Sequence, residues 1–478
     1  MKFVDREAEL SDMGKLLELS KKKAFLIGIF GLRRVGKTAL ISHFIKQQDS
    51  LYFFVNGDKT SPDLLSEYSE ELRKSGVLTP LEHIGNWDSF VELLFQRCKG
   101  KILVFDEFQN FSSVEPSVFS VFQKFFDKNE NTPIMIIFLG SLIGLFKKIF
   151  EDKKQPLYGR LKSKIKLKPL RFSEAAEMLN ELGYKETTDI VPFYSVFGGF
   201  PKYYVSVEDY GLNKKPLLDV IESLFLLERA PLKAEVEDIL KQEFGKRKSL
   251  FYSILYAIAS GKTKINEIAS AVGMKESSIS RHMNDLVQHF EFVKKESTVF
   301  NENKKTIYKI NHPLIEFWFR YIYKTYSEYA IGQAENIKSF MASDINSFIG
   351  RRFEAIASEF LTLQENLPLS PSKIGPWWGH HRVEGIRKEI EIDIVCLDEN
   401  KKEAMFVECK WSALKEKEAL RILEELKEKS KHVEWKRKKE YFCIIAKKIN
   451  GKEALRKAGY FAYDLEDFDK IMKSKRID

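Results

Sequence analysis

Cysteine is scarce. Cys98, Cys396, Cys409 and Cys443 are the four in 478 residues, and no two stand in C-x-x-C spacing. This excludes a disulfide framework or a thiolate zinc site as the organising feature and reads as reduced thiols in a cytoplasmic protein. Long hydrophobic runs are also missing. The longest, Pro133–Phe146, is well short of the ~20 residues of a membrane-spanning helix and fits a buried strand with the turn after it. The opening Met1-Lys2-Phe3-Val4-Asp5-Arg6 carries no signal-peptide stretch, so no membrane partner is expected. Neither an internal repeat nor a low-complexity linker stands out. Charge of one sign does not dominate: a net +9 permits an anionic partner such as nucleic acid without requiring one. What remains is the composition of a soluble globular protein, too long for one core, with about three domains expected.

The densest signal is residues 31–38, Gly-Leu-Arg-Arg-Val-Gly-Lys-Thr, a complete G-x-x-x-x-G-K-[ST] loop. Before it, Ala24–Phe30 is an apolar run of strand length; after it, Ala39–Ile45 starts a helix. Strand, glycine loop and helix in that order aim backbone N–H groups and a helix N-terminus at one anion. Gly31 and Gly36 allow the backbone angles and close approach that a phosphate requires. Lys37 is expected on the β- and γ-phosphates and Thr38 on Mg²⁺. Arg33, Arg34, Val35 and Ala39 complete the set expected around ATP or ADP.

Downstream runs fit the same sheet. Lys101–Glu107 is a buried-type strand ending in two acids, where ligands bind in open α/β sheets. Asp106 is the candidate Walker B residue, on Mg²⁺ directly or through its water, and Glu107 is the candidate for orienting the attacking water. Ile134–Leu139 is another apolar strand. Ser141, just past its end, either senses the γ-phosphate or simply starts a turn. Arg160, before the strand Lys164–Leu167, either neutralises charge on the transferring phosphoryl group or is a surface arginine. Gly198-Gly199-Phe200-Pro201 lies in a helical region and must be a turn or kink, placed to position a helical lid.

Together, Phe3-Val4-Asp5-Arg6-Glu7-x-Glu9-Leu10, the phosphate loop, Asp106-Glu107-Phe108-Gln109 and Pro156-Leu157-Tyr158-Gly159-Arg160 resemble the archaeal-type AAA+/STAND-like ATPases over the first half of the chain. The resemblance implies an AAA+ core with a helical lid and a nucleotide between them. It places Asp5 and Arg6 near the base, Ser141 at the first sensor position, Arg160 at the finger-like arginine, and Gly199 and Pro201 in the lid motif.

Residues 249–310 change rhythm. Leu250, Ile254, Leu255 and Ile258 form a helical stripe, continued by Ile265, Ile268, Ala269 and Val272 on a second helix that stops at Gly273. A third helix from about Ser277 offers Ser278, Ser280, Arg281 and Asn284 outward and turns Ile279, Met283, Leu286 and Val287 inward. Glu291–Lys294 and Thr306–Ile310 read as strands flanking a polar tip, Asn301–Lys305. This resembles the winged helix-turn-helix family, whose third helix enters the DNA major groove. Lys275, Arg281 and His282 on that helix are offset by Glu276 and Asp285, a thin phosphate-binding face.

In the last third, Gly350–Ala357 reads as a helix bearing Glu354. Glu389-Ile390-Glu391-Ile392-Asp393-Ile394 alternates, so Glu389, Glu391 and Asp393 share one face of a strand. Glu408 and Lys410 share a face of the next strand, Ala404–Trp411, and a turn at Leu397–Lys402 makes the two a hairpin that sets Asp393 beside Glu408. Adjacent carboxylates repel unless a cation lies between them, and a hard divalent ion suits oxygen ligands. The arrangement resembles the PD-(D/E)XK nuclease superfamily, with Glu354 matching the acid on its first helix. One feature departs from that pattern. The Lys/Glu-rich helix Ser412–Lys431 lacks the Gln or Tyr of some branches and reads equally as a solvated face laced with ion pairs. Trp377-Trp378 fits the tail's pattern and also reads as a packing anchor, while His380-His381 reads as surface or loop.

The expected fold is α/β. It comprises a P-loop AAA+ core (1–168), helical lid (169–240), winged helix-turn-helix (241–312), helical linker (313–340) and an α/β restriction-endonuclease-like domain (341–478). The expected function is ATP binding and hydrolysis by a protein acting on DNA, with metal-dependent cleavage through Glu354, Asp393, Glu408 and Lys410, Asp393 and Glu408 being the metal ligands. The rival reading is a nucleotide-controlled switch, open to homo-oligomer assembly, whose tail is an inactive binding platform. A third is a transcription factor binding duplex DNA through Arg281 and the wing.

Overall fold

The computed structural model describes residues 1, 3–245, 248–300, 306–383 and 386–474, so the wing tip Asn301–Lys305 lies outside the described residues. The chain packs as two compact units. One comprises Met1–Leu170, Phe200–Lys202 and Asn284–Glu291, and the other holds the remainder. The architecture is mixed α/β. Among the described residues no helix is long and apolar enough to cross a membrane, and all four cysteines are buried and free.

The first unit is built on five strands: β1 (Ala24–Phe30), β2 (Ser50–Phe54), β3 (Ile102–Asp106), β4 (Ile134–Gly140) and β5 (Ser163–Lys166). Their spatial order is β2-β3-β4-β1-β5, and every neighbouring pair is parallel. All residues of β1, β3 and β4 are buried, as expected of a parallel sheet covered on both faces. Because β4 lies between β1 and β3, the glycine loop after β1, the acids closing β3 and the serine after β4 emerge together at one edge. β2 escaped the sequence reading: five residues bounded by polar turns carry too short a pattern to stand out.

Aromatic packing fixes the turn after β3. Phe108 is fully buried, with its ring 4.1 Å from that of Phe138 on β4 and edge-on to Phe122. Two sequence-distant pieces complete the unit. Pro201 lies 3.8 Å from where a Cβ on Gly36 would stand. In the segment ending at Glu291, His289 packs so close to Gly144 that a Cβ there would be 2.9 Å from the His289 Cβ, and Lys147 and Lys166 pair with Glu291 at 3.0 and 2.6 Å.

In the second unit, helix Thr187–Phe197 ends on Gly198 at φ 58° and a new helix starts at Pro201, the break that the Gly-Gly-x-Pro sequence demands. The helix-turn-helix is formed by Lys248–Ala259, Ile265–Ala271 and Glu276–Asn284, burying Ile254, Leu255, Ile268, Ile279 and Met283. β6 (Val293–Ser297) and β7 (Thr306–Ile310) pair antiparallel. β6 starts later than the predicted Glu291, because Glu291 takes a turn conformation at φ 54°.

The C-terminal sheet contains β8 (Lys373–Val383), β9 (Ile386–Asp398), β10 (Glu403–Leu414), β11 (Lys439–Ile449) and β12 (Phe461–Asp464) in the order β12-β11-β10-β9-β8. β8, β9 and β10 run antiparallel, and β10, β11 and β12 parallel. The crossover helix Glu416–Ser430 buries Ala419, Leu423 and Leu426 against the sheet. It begins four residues beyond the predicted Ser412 because β10 continues to Leu414. Helix Ala334–Leu363 is 30 residues long, so the segment around Glu354 is the middle of a longer helix and the expected boundary at 340/341 falls inside it.

A Cβ on Gly31 would lie 2.3 Å from the Leu167 carbonyl oxygen, a backbone atom that cannot step aside cheaply. Gly31→Ala is therefore expected to lower unfolding stability by about 1–3 kcal/mol, read by chemical denaturation; an unchanged midpoint would show that the loop relaxes freely.

Candidate functional site

At the carboxyl edge of the first sheet, Lys37 is buried and its Nζ donates to the carbonyls of Gly31 (2.9 Å) and Leu32 (3.0 Å). The loop thus wraps a cation with its own oxygens at the place where phosphate oxygens are expected. Gly36 at φ 94° caps the helix Lys37–Ile45, whose N-terminus opens toward that place. Val35 is buried, Arg33 half-buried, and Arg34, Thr38 and Ala39 exposed. Arg6, also buried, sits behind the loop: it donates to the carbonyls of Val35 (3.3 Å) and Lys168 (2.8 Å) and pairs with Glu9. Arg6 therefore braces the phosphate loop. Asp5 and Arg6 both take positive φ, turning the chain into the helix Glu7–Ser20.

Asp106, 5% exposed, accepts from the Thr38 hydroxyl at 3.2 Å, from the Tyr52 hydroxyl, and from the Glu107 backbone N–H at 2.8 Å. Burial pushes its carboxyl above the usual carboxylate range, with the neighbouring Glu107 charge adding to the effect. Glu107 is held at φ 53°, an uncommon left-handed position for a non-glycine residue. Its carboxylate accepts from Ser141 Oγ at 2.6 and 2.8 Å and from Gln109 Nε2. The structure therefore assembles Lys37, Thr38, Asp106, Glu107 and Ser141 at one edge and adds Tyr52 and Gln109. Arg160 is not among them. It forms a two-pronged pair with Asp127 (2.8 and 2.9 Å) and donates to the Pro156 carbonyl, just ahead of Lys162, whose N–H bonds Leu26 near the start of β1. That is the opposite end of the strand from the loop. Gly199 lies at the helix break, one residue before the segment that carries Pro201 to the loop.

In the second unit a cleft of about 660 Å³ is lined by His381, Glu389, Glu391, Asp393, Glu408 and Lys429, among others. The β9–β10 ladder runs to Ile394–Val407, so Asp393 and Glu408 are the next opposed positions. There the Cys409 N–H bonds the Asp393 carboxylate at 2.7 Å. Burial, then the Glu408 charge, push Asp393 up to about 6. Burial, then the Asp393 charge, push Glu354 up to about 7, with Lys309 of β7 acting in the opposite direction. Glu408 carries two cations, Lys410 at 2.9 Å and Lys429 at 3.0 and 3.1 Å. Glu389 pairs with Lys264 at 2.9 Å. The histidines expected on a surface or loop lie on the strand β8, opposite Glu389 and Lys388, with His380 exposed and His381 half-buried. The His381 ring packs against that of His432 at 5.0 Å. Trp377 and Trp378 are buried, Trp377 in the core cluster of this sheet.

Among the described residues, no three His, Cys, Asp or Glu side chains are arranged to hold a metal ion. The residues missed by sequence reasoning are Tyr52, Gln109, Lys309, Lys429 and the histidine pair. Lys429 is the one with a local signal, since it lies in the last turn of a helix whose apolar stripe faces the same sheet.

These features define a P-loop ATPase fold joined to a helix-turn-helix and a separate mixed sheet. Residues 3–207 match the family described as an ATPase domain predominantly from Archaea, residues 253–289 the bacterial regulatory protein arsR family, and residues 318–422 a family of archaeal and bacterial proteins of unknown function. An uncharacterised protein of Methanocaldococcus jannaschii is 33% identical over 485 residues, spanning 98% of this chain and all of that one. The chain belongs to this family of archaeal P-loop ATPases. Among solved structures it is similar to the Walker-type ATPase of Pyrococcus abyssi (22% identity, 66% of this chain and 96% of that one, TM-score 0.49). It is also similar to the ORC2 protein of Aeropyrum pernix (13% identity, 72% and 96%, TM-score 0.47).

The half-buried Glu354, whose carboxyl feels the Asp393 charge, has a stability signature. Glu354 keeps its proton to about pH 7 when folded but loses it near its ordinary 4.5 when unfolded. Over that window the folded state binds more protons, so stability is fully present below pH 4.5 and is lost as pH rises through 7. The loss is on the order of a few kcal/mol. Glu354→Gln should flatten the fall in melting temperature across this range in metal-free buffer, and an unchanged slope would contradict the burial argument.

Proposed function

We propose that the first unit hydrolyses ATP with Mg²⁺ and that the nucleotide state governs action on DNA by the rest of the chain, including metal-dependent cleavage at the acid cleft. The observation that carries the reading is the assembly of Lys37, Thr38, Asp106, Glu107 and Ser141 at one sheet edge, in a chain whose family carries an ATPase domain. Lys37 leaves the Gly31 and Leu32 carbonyls for the β- and γ-phosphates. Thr38 and Asp106 supply the oxygen pair for the cation, and Glu107, steadied by Ser141 and Gln109, orients the attacking water. Arg160 belongs to this scheme only across a boundary between two chains. The exposed Ser278, Ser280 and Arg281 are the contacts the helix-turn-helix offers to DNA.

At the acid cleft, Asp393 and Glu408 would hold a divalent ion that lowers the pKa of water and takes a phosphodiester oxygen. Lys410 stabilises developing negative charge. Glu354, protonated near neutrality, can give or accept a proton at its carboxyl oxygen. A second reading draws support from Lys410 and Lys429, which already neutralise Glu408: the cleft is then an inactive platform, and the chain a nucleotide-controlled switch.

Plasmid and branched DNA incubated with the purified chain and Mg²⁺ or Mn²⁺ separate the two. The nuclease reading expects cleavage that Asp393→Ala abolishes, a fall of at least 100-fold, and that Lys37→Ala does not abolish but makes unresponsive to added ATP. No cleavage of any substrate, together with ATP-dependent assembly, would establish the switch instead.

A further inference from the structure

Tyr52 belongs to none of the roles above, yet its hydroxyl reaches the acid at the centre of the nucleotide site. On β2 its register partner is Val104, and Phe54 pairs with Asp106. Tyr52 and Asp106 are therefore diagonal neighbours on one face of the sheet, a separation a long aromatic side chain can span. Leu51 and Phe53 point to the other face and are buried, while Phe54 is exposed, so Tyr52 sits where the sheet opens toward the loop. Its hydroxyl donates to Asp106 Oδ2, the same oxygen that accepts from Thr38. The Glu107 N–H takes the other oxygen, Oδ1. Burial, then the Asp106 charge, push the Tyr52 phenol well above its ordinary value, which keeps it a donor.

We propose that Tyr52 is a positioning residue for the divalent cation of the ATPase site: its hydroxyl locks the Asp106 carboxylate with Oδ2 turned toward Thr38. The proposal rests on the reading that this edge binds a nucleotide with Mg²⁺. An aspartate swings freely about two torsions, and a cation pair ligand held in one rotamer loses less freedom when the ion enters. Thr38 alone does not hold it, since that hydroxyl must turn to the ion. The Oδ1 bond from Glu107 is a local backbone contact that leaves rotation about the carboxylate axis to be fixed from the far side. The Tyr52 hydroxyl supplies that donor. Outer-shell partners of this kind are worth about 10–100-fold in metal affinity.

Tyr52→Phe keeps the ring and removes the hydroxyl. Binding of a fluorescent ADP in EDTA should match the parent, whereas Mn²⁺ titrated into the ADP-loaded protein and followed by electron paramagnetic resonance should bind about 10-fold more weakly. In an Asp106→Ala background, adding Tyr52→Phe should change Mn²⁺ affinity no further. Parent-like Mn²⁺ affinity in Tyr52→Phe, or an equal loss in the Asp106→Ala background, overturns the positioning role alone. A parent that takes up no ADP overturns the nucleotide reading and this role with it.

Discussion

A carboxylate can end a fully buried strand only if donors surround it, because an uncompensated charge in an apolar setting is very costly. That requirement organises the nucleotide unit. Asp106 closes β3 inside a parallel sheet covered on both faces, and three donors from three places meet it: Thr38 on the helix after β1, Tyr52 on β2 and the backbone of Glu107. The strand order brings them together, since β2 and β3 are neighbours and β4 alone separates β3 from β1. Glu107, forced into a left-handed turn by the aromatic packing of Phe108, is then held by Ser141 from β4. The geometry holds a half-satisfied acid beside a hydroxyl and a lysine, an arrangement that a cation and a polyphosphate together complete.

The C-terminal cleft applies the same physics with a different outcome. There the acids come from a helix and a hairpin, and lysines from several elements, Lys264, Lys309, Lys410 and Lys429, answer them. Burial, with the charge of a neighbouring acid, holds the carboxyls of Glu354 and Asp393 above the usual range. Lys410 and Lys429 hold Glu408.

Much of this was legible in sequence where a motif is local. The loop 31–38 needs no long-range information, and β1, β4 and the Asp106 strand were recognisable as apolar runs with polar ends. Alternation in 389–394 announced the shared face of Glu389, Glu391 and Asp393. Partnerships between distant elements were not legible. Tyr52 on a five-residue strand, the pairing of Arg160 with Asp127, the bracing of Val35 by Arg6 and the approach of Lys309 to Glu354 all depend on which strands and helices become neighbours. His380 is at the surface, as one of the two expectations had it, but its strand was not legible, because two adjacent histidines give no period from which to tell strand from loop.

The central claim is that the glycine turn closing β1 holds the polyphosphate of a nucleotide, with Lys37 moving from carbonyl to phosphate. Calorimetric titration of the purified chain with ATP and with ADP, each with Mg²⁺, tests it most directly. The account predicts saturable uptake at one site per chain that disappears in Lys37→Ala. Absence of binding by either nucleotide in the parent, or undiminished binding in Lys37→Ala, would contradict it.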